Sequence, residues 1–318
     1  FQNFNPDVII HPSVLEGLFI NDLIIFKNIF KIPLIVIMNS WDNPSTKKAV
    51  IGHPDYLLVW GKQTYNHALK FMKMKPENVI QFGSAQFDIY SKKINCNKKQ
   101  FNSLYKIETN EIVLLYAGSS AFTNEIHHLS ILDEAINSKR LKNVKIIYRP
   151  HPWGGGGQNG KNLLNKKWKN ILIDKNMLKY LKYIKSGGKR KFLSNYLDTH
   201  VILSNVDAVI SPLSTILIEA AMHGKPGLCF LPFQDDSKHF LINVNLMHFQ
   251  EFFQNKNFIK AYGYNELINK VDELIKKLMV KNVSKLLKKE AEFYVTNFKE
   301  NYSKRILKFT ETCCLEEN

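Results

Sequence analysis

The chain has 318 residues, which suffices for two α/β units, and its hydrophobic content of 45% is that of an ordinary globular protein. No stretch of about 18 uncharged apolar residues is present, so the sequence predicts no transmembrane helix. The four cysteines lack metal-ligand spacing and indicate neither a disulfide framework nor a zinc site. The net charge of +16 favours anionic partners such as a nucleotide, an acidic glycan or an anionic membrane surface, although a Lys-rich composition explains it equally well.

Strands alternate with helical patterns along the first part of the chain, which predicts a parallel sheet with helices on both faces. The strands are predicted at 7–10, 34–38, 56–60 and 79–82, with helices such as 18–30 and 64–74 between them. The chain opens without an initiator Met, so we expect part of this domain to be missing. We therefore predict an N-terminal Rossmann-like domain over 1–88, truncated at its start, and a polar linker over 89–110.

A second series of strands and helices follows and predicts a second Rossmann-like domain over 111–280. Its strands are predicted at 112–116, 144–148, 171–173, 208–210 and 227–231, and its helices at 124–137, 216–223 and 265–278. A long amphipathic region, 283–309, lies in a C-terminal helical segment, 281–318, that we expect to pack on the N-terminal domain. Two doubly wound units predict a cleft between them, where the substrate is expected.

Two glycine-rich stretches interrupt the second series. The run 154–160 contains five glycines, and 185–191 is a basic loop. A glycine-rich loop can cradle phosphate, but 154–160 lacks the spacing and the Lys-Ser/Thr ending of a P-loop. Both stretches are predicted to be poorly ordered, the first as a mobile loop beside the cleft.

Arg149 and His151 directly follow the predicted strand 144–148. Pro150 and Pro152 flank His151 and restrict the backbone on both sides. An arginine fork offers paired donors to a phosphate, and a histidine can donate a proton to a leaving oxygen. The pattern favours a donor-phosphate site, with a surface ion pair and a capped loop as the alternative roles of these two residues.

A group of hydroxyls follows two further strands of the second series. Ser211, Ser214 and Thr215 precede an apolar helix, where they could cap its N-terminus or bind phosphate there, and the two roles are compatible. Glu219 lies one helical turn beyond Thr215, and a carboxylate there suits ribose hydroxyls. After strand 112–116 come three small residues that either form an ordinary turn or direct their amides at the cleft: Gly118, Ser119 and Ser120.

The first domain offers weaker candidates. Asp42 follows strand 34–38, close to Lys47, and Glu16 follows strand 7–10. Either residue could face the cleft, although Asp42 beside Asn43-Pro44 also suits a turn. Asp235 and Asp236 lie in a loop without a third ligand, so we expect no metal site there.

With these residues in view, the chain resembles the GT-B glycosyltransferases, and within them the bacterial group of CDP-glycerol glycerophosphotransferases, capsule Kdo transferases and sialyltransferases. The motifs that carry the resemblance are Arg149-Pro150-His151-Pro152, the segment 211–215 with Glu219 and Gly224-Lys225-Pro226, the segment 83–88, and Trp41-Asp42-Asn43 with Lys47. The resemblance covers most of the chain and is more specific for the fold and the donor site than for the substrate.

The resemblance implies an inverting transfer that needs no metal and no other cofactor, from a nucleotide-sugar or CDP-glycerol donor to a glycan or lipid-linked acceptor of a surface polysaccharide. By it, His151 contacts the donor phosphate and assists its departure, Ser214 and Thr215 hold the same phosphate, and Glu219 binds the nucleotide. The base would come from the N-terminal domain, where Asp42 and Glu16 are the candidates.

The expected location is the cytoplasm, with peripheral attachment to the inner face of the plasma membrane, and no nucleic acid partner is expected. Two other functions remain open. A non-hydrolysing UDP-GlcNAc 2-epimerase shares this fold, and a non-catalytic nucleotide-sugar-binding domain of a larger assembly would share the donor site.

Overall fold

The computed structural model describes residues 6–189, 192 and 195–315. They divide into two compact units. Unit 1 comprises Phe1–Asp88, Leu246–His248 and Ala291–Asn318, and unit 2 comprises Ile89–Asn245 and Phe249–Glu290. Each unit is a parallel sheet with helices, so the predicted class of two Rossmann-like α/β units is confirmed.

The described part of unit 1 contains a parallel sheet whose strands follow one another in chain order. These strands are β1 (Ile9–Ser13), β2 (Leu34–Met38), β3 (Tyr56–Val59) and β4 (Val79–Gln81). The helices between them are α1 (Leu18–Phe30), α2 (Asn43–Thr46) and α3 (Lys62–Met72). The register pairs Ile9 with Leu34, and the strands read as apolar runs because both faces of a parallel sheet are covered.

The core of unit 1 is closed by the far end of the chain. Ile35 and Leu58 of the sheet share one buried cluster with Phe82, and Tyr302 and Cys313 of the C-terminal helix complete it. Aromatic edges fix this packing, since the rings of Phe82 and Tyr302 lie 5.2 Å apart in a T-shaped arrangement.

Unit 2 contains a longer parallel sheet whose strand order reverses. Within the described residues the order is β10-β9-β8-β5-β6-β7. The strands are β5 (Ile112–Ala117), β6 (Val144–Arg149), β7 (Ile171–Ile173), β8 (Ala208–Ser211), β9 (Gly227–Leu231) and β10 (Ile259–Tyr262). The neighbours β5 and β8 are not consecutive, so the sheet has a topological switch point between them, where α/β proteins bind ligands.

Helices accompany this second sheet, and the last helix of the described residues belongs to unit 1. They are α4 (Lys98–Tyr105), α5 (Glu125–Asn137), α6 (Leu178–Lys185), α7 (Tyr196–Asn205), α8 (Ile216–Met222), α9 (Lys238–Val244), α10 (Met247–Gln254), α11 (Tyr264–Lys277), α12 (Val283–Tyr294) and α13 (Tyr302–Leu315). The core of unit 2 buries large residues of the central strands completely, among them Tyr116, Tyr148 and Phe230.

Two regions differ from the sequence prediction, namely the segment 89–110 and strand β10, whereas the C-terminal segment is helical as expected. The segment 89–110, interpreted as a linker, contains α4, which buries Phe101 and Tyr105 against unit 2. The amphipathic region 283–309 is two helices, α12 and α13. Strand β10 escaped prediction because Lys260 interrupts its apolar pattern, and the Nζ of that lysine is bound by the carbonyl groups of Phe253 and Asn255.

Candidate functional site

The candidate site of unit 2 lies at the carboxyl edge of its sheet. The segments that leave β5, β6 and β8 all begin at this edge, because parallel neighbours end on the same side. They carry the motifs that the sequence singled out, and the described structure brings the loops of β5 and β8 into contact: the Ser119 hydroxyl donates to the Leu213 carbonyl at 3.0 Å.

His151 is held as a neutral hydrogen-bond donor. Its ring Nδ1 accepts the backbone N–H of Trp153 at 3.0 Å, so the neutral imidazole carries its proton on Nε2. Burial lowers the pKa of His151 to about 4, and the ring is therefore uncharged at neutral pH. This arrangement suits a hydrogen bond to a phosphate oxygen better than full proton transfer from an imidazolium.

The glycine run after His151 is packed, and the prediction of a mobile loop is wrong. All four residues 154–157 are buried. A Cβ at Gly154 would lie 2.3 Å from the Ser119 carbonyl oxygen, and one at Gly157, whose φ is +74°, would lie 2.1 Å from that of Thr123. Gly154 and Gly157 are present because the backbone passes too close to the β5 loop for any side chain, and Gly155, Gly156 and Gly157 also adopt positive φ angles, which favour glycine. The other glycine loop, 185–191, lies partly outside the described residues.

The loop after β5 uses its polar groups internally. The amide of Gly118 donates to the Arg149 carbonyl at 2.8 Å, and the amide of Ser119 donates to Glu125 at 3.0 Å. The hydroxyl of Ser119 is engaged as well, so in this structure the donors of Ser119 and the Gly118 amide all have partners within the protein, and their predicted phosphate contacts stay predictions. Ser120 is exposed, and its phosphate contact stays a prediction.

Glu125 explains why these small residues are needed. It is fully buried and accepts hydrogen bonds from Ser119 and from the Tyr148 hydroxyl. A Cβ at Gly118 would come within 2.5 Å of its carboxylate. Glu125 therefore fixes the β5 loop, a role that nothing in its position on a predicted amphipathic helix indicated.

Arg149 is buried in an ion pair. Its guanidinium contacts Asp174, which follows β7, and donates to the Thr199 hydroxyl at 3.2 Å. Side-chain exposure is 6% for Arg149 and 1% for Asp174. The alternative role of an ion-pair partner is thus realised, but inside the protein rather than on its surface, and only the remaining N–H groups of Arg149 are left for a phosphate.

Of the three hydroxyl-bearing residues after β8, only two are partly exposed and can reach a ligand. Ser211 is fully buried, and within the described residues its Oγ has no hydrogen-bond partner. Thr215 stands at the N-cap of α8 without a side-chain capping bond. Ser214 and Thr215 are half-buried, so of this group they are the residues whose predicted phosphate contact the structure leaves open.

Glu219 is buried, and its carboxylate already has a partner. The Tyr90 hydroxyl donates to Oε2 of Glu219, from a segment interpreted as the start of the linker. Burial raises the pKa of Glu219 to about 7, although the Tyr90 hydrogen bond and the charge of Arg149 oppose the shift. A carboxyl group near half-protonation at pH 7 can both accept and donate a hydrogen bond.

Glu219 should make the stability of the protein fall as pH rises. Its pKa is raised from 4.5 to about 7, so between these values the folded state holds a proton that the unfolded chain loses. We expect Glu219→Gln, which keeps an acceptor for Tyr90, to be more stable than the wild type by a margin that grows from about pH 4.5 to about pH 7. Urea denaturation across this range measures the margin, and a constant margin would contradict the pKa of Glu219.

Two histidines tie the Tyr90 segment to α8, and sequence reasoning did not identify this link. His223 Nδ1 donates to the Glu219 carbonyl at 2.7 Å, and its Nε2 lies 2.9 Å from His200 Nδ1. His200 Nε2 in turn donates to the Lys92 carbonyl at 2.8 Å. The ring of Tyr90 packs edge-on against His223 at 4.6 Å. In the sequence, the link shows only as a histidine one helical turn after Glu219, which by itself indicates no partner.

Asp235 has a structural role. Its carboxylate accepts hydrogen bonds from the Tyr264 hydroxyl and, at 2.6 Å, from the backbone amide of Asn124. It also pairs with the His128 ring at 2.9 Å. Its own carbonyl accepts the Gln158 side chain at 2.7 Å. Asp235 therefore joins the loops after β5, β6 and β9, and its carboxylate oxygens are already occupied.

In unit 1, the two candidate bases lie in different environments. Asp42 follows β2 at the carboxyl edge of its sheet and pairs with Lys47 at 3.3 Å. Burial raises its pKa, but a Ser40 hydrogen bond and the charges of Lys47 and His248 outweigh burial, so the pKa of Asp42 is lowered. Glu16 is exposed.

Known proteins resemble this chain in structure and not in sequence. No family model matches the chain, and no curated protein matches it. A Listeria monocytogenes protein described as a candidate UDP-N-acetylglucosamine 2-epimerase superposes with a TM-score of 0.58 and 14% identity over 98% of this chain and 76% of its own. The chain has the GT-B fold.

Two other GT-B structures are similar to this chain. The UDP-GlcNAc 2-epimerase from Neisseria meningitidis bound to UDP-GlcNAc gives a TM-score of 0.53 and 16% identity, covering 98% of this chain and 78% of its own. A variant of the wall teichoic acid polymerase TagF gives 0.52 and 11%, covering 99% and 91%. At these identities the likeness concerns the fold, and both epimerase and transferase chemistry occur on it.

Proposed function

We propose that the chain is an inverting, metal-independent GT-B glycosyltransferase or glycerophosphotransferase that uses a nucleotide-activated donor. The observation that carries the proposal is the set of groups at the switch point of unit 2. The His151 Nε2–H, the hydroxyls of Ser214 and Thr215, and the Glu219 carboxyl group belong to the segments that follow β6 and β8. The N–H and O–H groups suit the phosphate of a nucleotide, and the carboxyl group suits hydroxyls at the other end of the same ligand.

In the proposed reaction, an acceptor hydroxyl attacks the carbon bonded to the donor phosphate. The acceptor oxygen forms the new bond, the bond from that carbon to the phosphate oxygen breaks, and the proton passes to a carboxylate. In a glycerophosphotransferase, the hydroxyl instead attacks the phosphorus that carries the glycerol, and the bond from this phosphorus to the oxygen shared with the nucleotide breaks. The leaving nucleotide keeps the electron pair, and the neutral His151 stabilises it by a hydrogen bond. We favour Asp42 over Glu16 as the base, because Asp42 is half-buried beside the carboxyl end of β2, whereas Glu16 is exposed.

We propose that Glu219 receives the ribose of the nucleotide. The Tyr90 hydroxyl bound to Glu219 has the same chemistry as a sugar hydroxyl, so a ribose must share or displace it. Displacement of Tyr90 by the ribose would also affect the His200–His223 link, because His200 binds the Lys92 carbonyl in the same segment as Tyr90.

A second candidate, a UDP-GlcNAc 2-epimerase, is supported equally by the structural comparisons. A non-catalytic nucleotide-sugar-binding domain is the third. Thermal-shift screening with CMP-, CDP-, UDP- and GDP-linked donors should first identify the nucleotide. Incubation with UDP-GlcNAc alone then separates the candidates: formation of the epimer without acceptor indicates the epimerase, whereas binding without turnover under all conditions indicates the binding domain.

Activity should persist in EDTA. The hydroxyls of Ser214 and Thr215, the His151 N–H and the remaining N–H groups of Arg149 can stabilise a leaving phosphate without a divalent ion. Turnover measured with chelator and after added magnesium or manganese should be equal. Complete loss on chelation, restored by metal, would contradict the proposed site.

We propose that the enzyme attaches to anionic membranes through the segment 276–289. Its exposed lysines alternate with exposed apolar side chains, of which Met279 is 88% and Val280 55% exposed. None of the described helices is long and apolar enough to cross a bilayer. Each basic residue near an anionic surface contributes about 1 kcal/mol within a Debye length.

Vesicle co-sedimentation tests this attachment. We expect binding to anionic vesicles at low salt, release by moderate salt, and no binding to neutral vesicles. Replacing Lys281 and Lys285 by Glu should abolish sedimentation, whereas the same change at the exposed Lys62 and Lys304 of unit 1 should not. A protein that stays in the supernatant with anionic vesicles would indicate that the charge is compositional.

A further inference from the structure

Trp153 combines an immobilised backbone with an exposed side chain. It is 63% exposed, whereas Trp41 and Trp60 are 3% and 2% exposed. Its amide donates to His151 Nδ1 at 3.0 Å. The next two amides, of Gly154 and Gly155, both donate to the His151 carbonyl, at 3.0 and 3.2 Å. The most apolar surface of this turn therefore faces water while its backbone is fixed.

The glycines behind Trp153 explain how the backbone is fixed. A Cβ on Gly160 would lie 1.8 Å from the Gly155 carbonyl oxygen, and the clashes at Gly154 and Gly157 are almost as severe. Such close packing leaves the turn no room to fold the indole inward. A tryptophan on a fixed backbone offers a large contact area and loses little conformational entropy when a ligand binds. Such tryptophans are typical of binding surfaces.

We propose that Trp153 is a stacking platform for a sugar ring, and that the substrate bound beside His151 therefore carries a ring sugar rather than glycerol. The inference rests on the proposed function. There, Glu219 takes the nucleoside and His151 the phosphate, so Trp153, bonded to His151, belongs to the group attached beyond the phosphate. The C–H face of a pyranose packs flat on an indole, whereas glycerol offers no such face.

Paired binding measurements test this inference. The dissociation constants of UDP-GlcNAc, CMP-sialic acid and CDP-glycerol are compared with those of the free nucleotides, for wild type, Trp153→Ala and Trp153→Phe. We expect Trp153→Ala to weaken the binding nucleotide sugar about three- to tenfold and to leave its free nucleotide unchanged. Trp153→Phe should restore part of the loss. Trp168→Phe, in a half-buried position, serves as the matched control.

Acrylamide quenching gives a second readout that does not depend on turnover. Because Trp153 is the most exposed tryptophan, the nucleotide sugar should lower the quenching of the wild type, and the free nucleotide should not. An equal effect of Trp153→Ala on nucleotide and nucleotide sugar, protection by the nucleotide alone, or binding confined to CDP-glycerol would overturn the inference and leave the proposed function standing. If the wild type binds neither these three donors nor any other CMP-, CDP-, UDP- or GDP-linked donor of the screen, the proposed function fails and the inference with it.

Discussion

Replacing His151 by Ala is expected to lower the rate of transfer about 100-fold or more while leaving the fold intact. The imidazole lies at a sheet edge. The Trp153 amide loses its acceptor Nδ1 in the variant, but the amides of Gly154 and Gly155 still bind the carbonyl of residue 151 and hold the turn. What the variant loses is the Nε2–H that stabilises the leaving phosphate. Steady-state kinetics with the donor found by screening, together with thermal melting, measures both effects.

The exposed His53 of unit 1 provides the control, since His53→Ala removes an imidazole that does not belong to the switch-point loops of unit 2. His151→Asn tests the proposed protonation state, because an amide can replace a neutral donor but not an acid, and should recover part of the rate. Since the pKa of His151 is about 4, its contribution should not change between about pH 6 and pH 8. Near wild-type turnover in a well-folded His151→Ala would remove this residue from the mechanism.

Much of the fold could be predicted from apolar periodicity. The bounds of β2, β7 and β9 agree with the sequence prediction, because buried parallel strands are continuous runs of apolar residues between turn signals. Short helices such as α6 and α7 escaped prediction. In α6, lysines and tyrosines interrupt the aliphatic residues, and in α7 three aliphatic residues follow one another at 201–203 instead of recurring at a helical spacing. The strand order could not be derived, because β5 and β8 are neighbours only through contacts distant in sequence.

The site was less predictable than the fold, for a related reason. The positions of Arg149 and His151 follow from a strand end, but the partner of Arg149 is Asp174, after β7, and only the sheet brings them together. Tyr90 belongs to a polar stretch that carries no signal of its own. The glycine run was misread because composition cannot distinguish a glycine needed for freedom from one needed for close approach.

The Arg149–Asp174 pair should dominate the stability of this edge of the sheet. Both side chains are buried, with exposures of 6% and 1%. Asp174→Asn keeps the shape and the hydrogen bond from the Asn176 amide, which is 3.0 Å from Oδ1, yet leaves the guanidinium charge unpaired. We expect this variant to lose about 3–5 kcal/mol of unfolding free energy, the usual cost of breaking a buried pair from one side.

Removing both charges should recover most of that loss, because Arg149→Met with Asp174→Asn leaves no buried charge uncompensated. Urea denaturation of the wild type, the two single variants and the double variant gives the coupling free energy directly. Glu273→Gln, which breaks an exposed pair with Lys270, is the control and should change stability little. The double variant also tests the donor role of Arg149: if it is stable and binds the nucleotide as the wild type does, Arg149 serves the sheet edge and not the phosphate. An Asp174→Asn protein as stable as the wild type would show instead that the guanidinium reaches water.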